Sequence, residues 1–494
     1  MYKGKTGNLS KSKYLKSLQC PRLLWVDANQ RERIVIDEST QHIFAQGHEV
    51  GLLAQSLFPD GVDAGTGPSA ENLAITAELL PQRVPIYEAG LSAGRLYCRA
   101  DILEPAPGDA WDIIEVKSAN SVKPENLDDV AFQRYCATMS GLTIRRCFLM
   151  HLNPDYVKQG DIDPEALFVT EDVTDQLDPH TDGIEGRIAE ALQVMDADEC
   201  PGPDIGARCS SPYACALTGE CWDGLADHHP LTLYYGKALG ERLLKQGINT
   251  IADIPPHVKL NGKQRIQMEC VLNNRPYIDH AALGDFLGGL EYPLYFMDFE
   301  TFQTAIPLYD GTRPYQQIPF QFSVHVVDRP GAEPRHHSFL ADSPADPRAD
   351  FIRELTACMG ERGSVIVYYQ TFETGRLAEL AQAFPEYRER IANIVGRMAD
   401  LIVPFRNFAY YHPDQRGRAS LKYTMPALTG LGYSDLVIKE GGMASLRYFQ
   451  SVFGNLPEAE VAAIRRDLET YCGQDTFGMI GMVEELRGLV TRKI

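Results

Sequence analysis

At 494 residues the chain is longer than one ordinary hydrophobic core serves, and about three domains of roughly 150 residues each are expected. Its 44% hydrophobic and 23% charged residues suit a soluble globular protein; no apolar run reaches bilayer length and MYKGKTGNLSKSKYLKS lacks a signal-peptide core, so a cytoplasmic protein without membrane contact is expected. A formal net charge of −20 argues against a nonspecific nucleic-acid coat but not against a nuclease, whose metal-binding carboxylates are negative where the cation restores phosphate binding.

The first 35 residues reverse the overall sign. They carry eight Lys and Arg (Lys3, Lys5, Lys11, Lys13, Lys16, Arg22, Arg31, Arg33) against Asp27 and Glu32, which suits either a phosphate-contacting surface or a solvated helix face. Within them, SKSKYLKSLQCPRLLWVD reads as a helix capped by Ser10 or Ser12 that delivers Cys20 just before a proline.

Further along, RLYCRADILEPAPGDAWDIIEVKSA predicts two strands, Leu96 to Leu103 and Ala110 to Val116, joined by a Pro/Gly turn. Asp101, Glu115 and Lys117 converge on such a hairpin. Residues two apart on a strand share a face, so Glu115 and Lys117 project together while Val116 points into the core. Two carboxylates there suit one or two divalent cations that polarise phosphate and acidify water, with the lysine placed to stabilise or position the nucleophile. A helix bearing Phe132-Gln133-Arg134-Tyr135 is predicted to follow.

Eleven cysteines are spread unevenly. Cys98, Cys136, Cys147, Cys270, Cys358 and Cys472 are isolated and read as small buried apolar residues. Cys209, Cys215 and Cys221 fall as C-x5-C-x5-C, with Cys200 just upstream, a pattern that in a reducing compartment signals metal rather than disulfides. Cys20 is the natural fourth ligand. Such a thiolate tetrad holds structural Zn²⁺ or an iron–sulfur cluster and staples the two ends of a domain.

Through Cys20-Pro21-Arg22, Asp101, Glu115-Val116-Lys117 and the cysteine triplet, residues 1 to about 225 resemble the RecB-like PD-(D/E)xK nucleases with an iron–sulfur cluster, the group of the CRISPR-associated RecB-like exonucleases and the AddB nuclease domain. The resemblance implies a restriction-endonuclease-like fold and a four-iron four-sulfur (4Fe-4S) cluster on Cys20, Cys209, Cys215 and Cys221. It also implies Mg²⁺- or Mn²⁺-dependent cleavage of DNA, often single-stranded, with the metal held by Asp101, Glu115 and the Val116 position. Three departures are visible. Where the family places a metal-binding histidine after G-x-x-x, Gly47 is followed by Gly51, with His48 or Glu49 as candidate substitutes; Q-x-x-x-Y is reduced to Gln133 and Tyr135; and the usual C-x2-C-x5-C has become C-x5-C-x5-C.

Residues about 226 to 288 predict a helical pair with a turn at Gly247 and a Pro-Pro break, read as a bridge rather than as a phosphate-binding helical hairpin. From 289 onward the pattern returns to strands. YPLYFMDFETF is a buried strand with Asp298 and Glu300 on one face, and IPFQFSVHVVD is its antiparallel neighbour. SVIVYYQTFETGRLAEL runs strand, turn, helix and places Glu373 at the helix start. Near the end, AAIRRDLETYCGQDTFGMIGMVEEL is one helix that sets Tyr471 and Asp475 on one face. Four acids on two strands and two helices suit a pair of cations.

Asp298-x-Glu300, Glu373 and Tyr471-x-x-x-Asp475, in that order, resemble the RNase H-like DEDD exonucleases whose last motif is Y-x-x-x-D. The resemblance implies 3′ to 5′ exonuclease activity, two Mg²⁺ or Mn²⁺ ions on the acids, and Tyr471 orienting the attacking water; Glu373 stands where the family carries Asp. Asp400-Leu401 and Ser420-Leu421-Lys422 also resemble segments of that family. The sequence therefore predicts an α/β protein of three parts: a PD-(D/E)xK domain (1–225), a helical bridge (226–288) and an RNase H-like domain (289–494). Its expected work is DNA end processing in repair or in defence against foreign DNA. The alternatives are an RNA-processing exonuclease and a nucleic-acid-binding scaffold with one decayed site. No G-x-x-x-x-G-K-[ST] loop is present, so unwinding would fall to a separate helicase.

Overall fold

The computed structural model describes residues 7–491, which places Lys3 and Lys5 of the basic segment outside the described residues. The protein is mixed α/β, with helices around mixed sheets, and divides into two compact units. One comprises residues 1–224 and 304–316, the other residues 225–303 and 317–494. Residues 226–288 thus belong to the second unit. Among the described residues no helix is long and apolar enough to cross a membrane.

The first unit is built on a seven-stranded sheet. The Asp101 strand, Leu96–Pro105, lies between Ile86–Ala93 and the Glu115 strand, Ala110–Lys117, antiparallel to both. Thr143–Leu152 then runs parallel to the Glu115 strand. A parallel pair needs a crossover, and helix Pro124–Met139 supplies it. That helix buries Val130, Phe132, Cys136 and Ala137 in the core against Cys98, Ile113 and Leu149. At the start of the chain the Ser10 side chain caps helix Lys11–Gln19 by accepting the Lys13 amide at 3.3 Å. The chain turns in extended backbone at Cys20, and Pro21, which lacks an amide hydrogen, opens the next helix, Pro21–Asn29.

In the second unit the Asp298 strand, Leu294–Phe302, is central in a five-stranded sheet. Ile318–Val327 pairs with it antiparallel, as the sequence predicts, and Val365–Val367 pairs on its other side in parallel. Val365–Val367 feeds helix Gln370–Ala383, whose first turn carries Glu373. The Tyr471-x-x-x-Asp475 motif lies midway along one long helix, Glu458–Thr491. That helix packs closely where it lacks a side chain: a Cβ on Gly478 would stand 1.9 Å from the Met425 sulfur. The predicted helical pair appears as Lys237–Lys245, a turn at Gly247 with φ +78°, and a short 3-10 turn, Ile251–Asp253.

Candidate metal centres

In the first unit, the strand geometry brings Asp101, Glu115 and Lys117 together as the alternation predicts. Glu115 is 1% exposed and is the hub. Its Oε1 accepts from Lys117 Nζ at 2.6 Å and from Lys11 Nζ at 2.8 Å, while Oε2 accepts from Gln133 Nε2 at 2.7 Å. Asp129, one helical turn before Gln133, accepts from Lys117 at 2.6 Å and from Gln133 at 3.0 Å. Asp101 Oδ2 receives the Val116 amide at 2.8 Å, which locks the two strands at the point of convergence. Three acids thus face two ammonium groups. Burial opposes charge on Lys11 and Lys117, but the attraction of Asp129 and Glu115 outweighs it and raises both pKa values. Burial and the nearby Asp101 carboxylate push Glu88 up.

Lys11, Asp129 and Glu88 were not found from sequence. Asp129 carried a usable signal, its i,i+4 spacing to Gln133. Lys11 carried none, because only the folded chain brings residue 11 to residue 115. Of the remaining candidates, His48 and Glu49 are exposed on helix Glu38–Gln55, and the Tyr135 hydroxyl sits 3.4 Å from Glu185. A Cβ on Gly51 would meet nothing within 4 Å. Most of the described basic residues near the start serve internal pairs, Lys16 and Arg31 on Asp27, Arg22 and Arg33 on Glu220.

Cys20, Cys209, Cys215 and Cys221 line one pocket, with Arg22, Asp204 and Leu217 among their neighbours. All four are free, half-buried thiols. Gln19, immediately before Cys20, donates to the Arg208 and Tyr213 carbonyls at 2.8 and 2.7 Å, which ties the helix end to the loop carrying the other three. Among the described residues no three of these sulfurs lie within 4.8 Å of one another. Cys200 packs in the same apolar cluster but outside the pocket lining.

In the second unit, ligand atoms of Asp298, Glu300 and Cys472 lie within 4.8 Å of one another. The Cys472 sulfur is 3.8 Å from Asp298 Oδ2. Burial, then the charge of Asp475, pushes the Asp298 and Glu300 carboxyls well up. Asp475 is pushed up to about 7 by burial, against the hydrogen bond donated by the Tyr433 hydroxyl and the charge of Lys422. Glu373, 1% exposed, is pushed up to about 8 by burial, and its Oε2 has no hydrogen-bond partner among the described residues. Asp400 accepts the amides of Tyr369, Gln370 and Ile402 at 2.9 to 3.1 Å and so fixes the start of the Glu373 helix. Tyr471 is 4% exposed, its ring centre 6.1 Å from that of Tyr433. Behind the acids, Ser323, paired in register with Asp298, bonds Thr476 at 2.7 Å.

Cys472, by its sequence a small buried apolar residue, instead joins the acids; its i,i+3 relation to Asp475 is the signal that marks it. Tyr433 and Lys422 reach the acids from a separate helix and loop and left no local pattern. The donor sets fit the groups the sequence implies: the oxygen-rich set of the second unit suits a hard divalent cation, the acids of the first unit are paired with Lys11 and Lys117, and the four thiols suit Zn²⁺ or a cluster.

Residues 295–420 match the family described as a domain of unknown function, DUF2779. The chain is similar to uncharacterized proteins of Ureaplasma parvum (25% identity over 240 residues, 44% of this chain) and Mycoplasma pneumoniae (25% over 222 residues, 41% of this chain). A third, from Mycoplasma genitalium, is 24% identical over 216 residues, 40% of this chain. The chain spans about a third of the length of these relatives, 34%, 33% and 32% respectively.

Proposed function

We propose that this protein is a metal-dependent nuclease hydrolysing DNA phosphodiester bonds, single-stranded or at ends, with one site in each unit. The first unit is then a PD-(D/E)xK domain stapled by a 4Fe-4S cluster, and the second an RNase H-like DEDD exonuclease. The observation that carries the reading is the set Asp298, Glu300, Glu373 and Asp475: all four carboxyls are raised by burial, Asp298 and Glu300 also by the charges of the other acids, and Glu373 Oε2 has no hydrogen-bond partner among the described residues. Clustered charge of this kind is costly unless a cation compensates it. Mg²⁺ or Mn²⁺ bound there would supply Lewis-acid stabilisation of phosphate and an acidified water. Asp298 and Glu300 would hold the ions, Asp475 and Glu373 would complete the cage, and Tyr471 would orient the water. In the first unit Asp101 and Glu115 would bind the cation, while Lys117, held between Glu115 and Asp129, would position the nucleophile.

The test is degradation of 5′- and 3′-labelled single-stranded DNA and RNA with Mg²⁺ or Mn²⁺. Lys117→Ala should remove one cleavage pattern and Asp475→Ala the other. Wild-type protein inert on every substrate would sink the proposal, and preference for RNA would redirect it to RNA processing.

A further inference from the structure

The second unit carries a strip of aromatic and cationic side chains that the acidic site does not use. Residues 235–275 hold seven Lys and Arg against Glu241, Asp253 and Glu269, in a chain whose formal charge is −20. Two exposed tyrosines bracket the strip. Tyr235 is 86% exposed at φ +47° and Tyr369 is 49% exposed at φ +78°. Non-glycine residues enter this left-handed region where surrounding contacts over-determine it, and such positions concentrate at functional surfaces.

Two cations connect to these rings through Tyr234 and the Arg406 carbonyl, with Lys263 Nζ 5.3 Å from the Tyr234 ring centre. Tyr235 packs edge-on to Tyr234 at 4.6 Å, and the Tyr234 hydroxyl donates to the Arg406 carbonyl at 3.1 Å. Lys263 Nζ donates to the same carbonyl at 2.6 Å, and the Arg406 guanidinium lies 5.4 Å from the Tyr369 ring centre. Among the described residues no carboxylate pairs with Lys263 or Arg406. Tyr369 immediately precedes the helix whose first turn carries Glu373, so the strip leads to the acid group.

We infer that Tyr235, Lys263, Arg406 and Tyr369 form a track for a single strand of nucleic acid, with bases stacked on the two tyrosines and phosphates against the two cations. The inference rests on the reading of the acid group as a nuclease site and names how that site receives its strand. A flat ring offered to solvent recognises an unstacked base of any identity, whereas a duplex keeps its base faces covered. Lys263 and Arg406 give phosphate a local attraction on an otherwise acidic protein.

The experiment is fluorescence anisotropy of the full chain in EDTA with labelled oligo-dT, oligo-U and a duplex, each about 20 units long. Tyr235→Ala and Tyr369→Ala should each weaken single-strand binding by roughly 5- to 100-fold, as expected for loss of one stacked base. Tyr235→Phe should restore it, and Arg406→Ala should flatten the salt dependence by close to one phosphate contact. The stronger of oligo-dT and oligo-U assigns the sugar. Unchanged affinity in both alanine variants, or tighter binding of duplex by the wild type, overturns the track. Because binding is read without metal, a protein that hydrolyses DNA yet ignores the tyrosine changes refutes the track alone. One that never hydrolyses but loses binding in those variants keeps the track and refutes the nuclease.

Discussion

Glu373→Gln separates the electrostatic cost of the acid group in the second unit from its chemistry. The carboxyl normally titrates at 4.5 and is pushed up to about 8 by burial, with the Asp400 carboxylate adding to the shift. Between those two values the unfolded chain has already released a proton that the folded protein keeps. With more protons bound in the native state, stability falls as pH rises through the window and levels off above about 8. The shift corresponds to about 5 kcal/mol at 1.36 kcal/mol per unit, an order-of-magnitude value. A glutamine does not titrate, and the cost of burying its amide is independent of pH, so the metal-free variant should lose roughly that much less stability than wild type between pH 5 and 9. All three tryptophans, Trp25, Trp111 and Trp222, lie in the first unit and do not report this change. Urea unfolding in EDTA should instead be followed by hydrogen exchange in the Leu294–Phe302 strand, with every sample pulse-labelled at one fixed pH. Excess Mn²⁺ should abolish the wild-type slope by displacing the protons. Parallel pH profiles for wild type and variant would refute the claim that this carboxyl is held protonated by its surroundings.

Cys209→Ser should remove iron, broad absorption near roughly 400 nm and part of the first unit's stability together, because cluster binding is folding free energy; a colourless wild type containing zinc would refute the cluster. Lys11→Ala leaves Glu115 and Asp129 with one ammonium instead of two. It should destabilise the metal-free first unit by about 2–3 kcal/mol, a value reduced because Lys11 is 23% exposed, and Mn²⁺ should recover the loss in thermal melts. Lys117→Ala should lower cleavage by the first site by about 10²-fold while leaving the second site's 3′ to 5′ trimming unchanged, read from end-labelled DNA. Tyr433→Phe removes a hydrogen bond that favours the Asp475 carboxylate, so the pKa of Asp475 should rise and the acidic limb of the second site's pH–rate profile should move to higher pH, with activity recovering by about pH 9.

Local chemistry was legible in the sequence alone. The Ser10 cap, Pro21 at a helix start, the hairpin carrying Asp101 and Glu115, the Asp298-x-Glu300 strand and the helix bearing Tyr471 and Asp475 each follow from capping, turn residues or a periodicity of 2 or 3.6 within a few residues. The tertiary structure decided what closes around those acids. Lys11 reaches Glu115 across 104 positions, Tyr433 reaches Asp475 across 42, and residues 304–316, set between two strands of the second sheet, join the first unit. The physical reason is that backbone pattern records how a segment meets its nearest neighbours, whereas the balance of charge in a buried site is set by side chains from distant segments. Those side chains meet only after the sheets have formed.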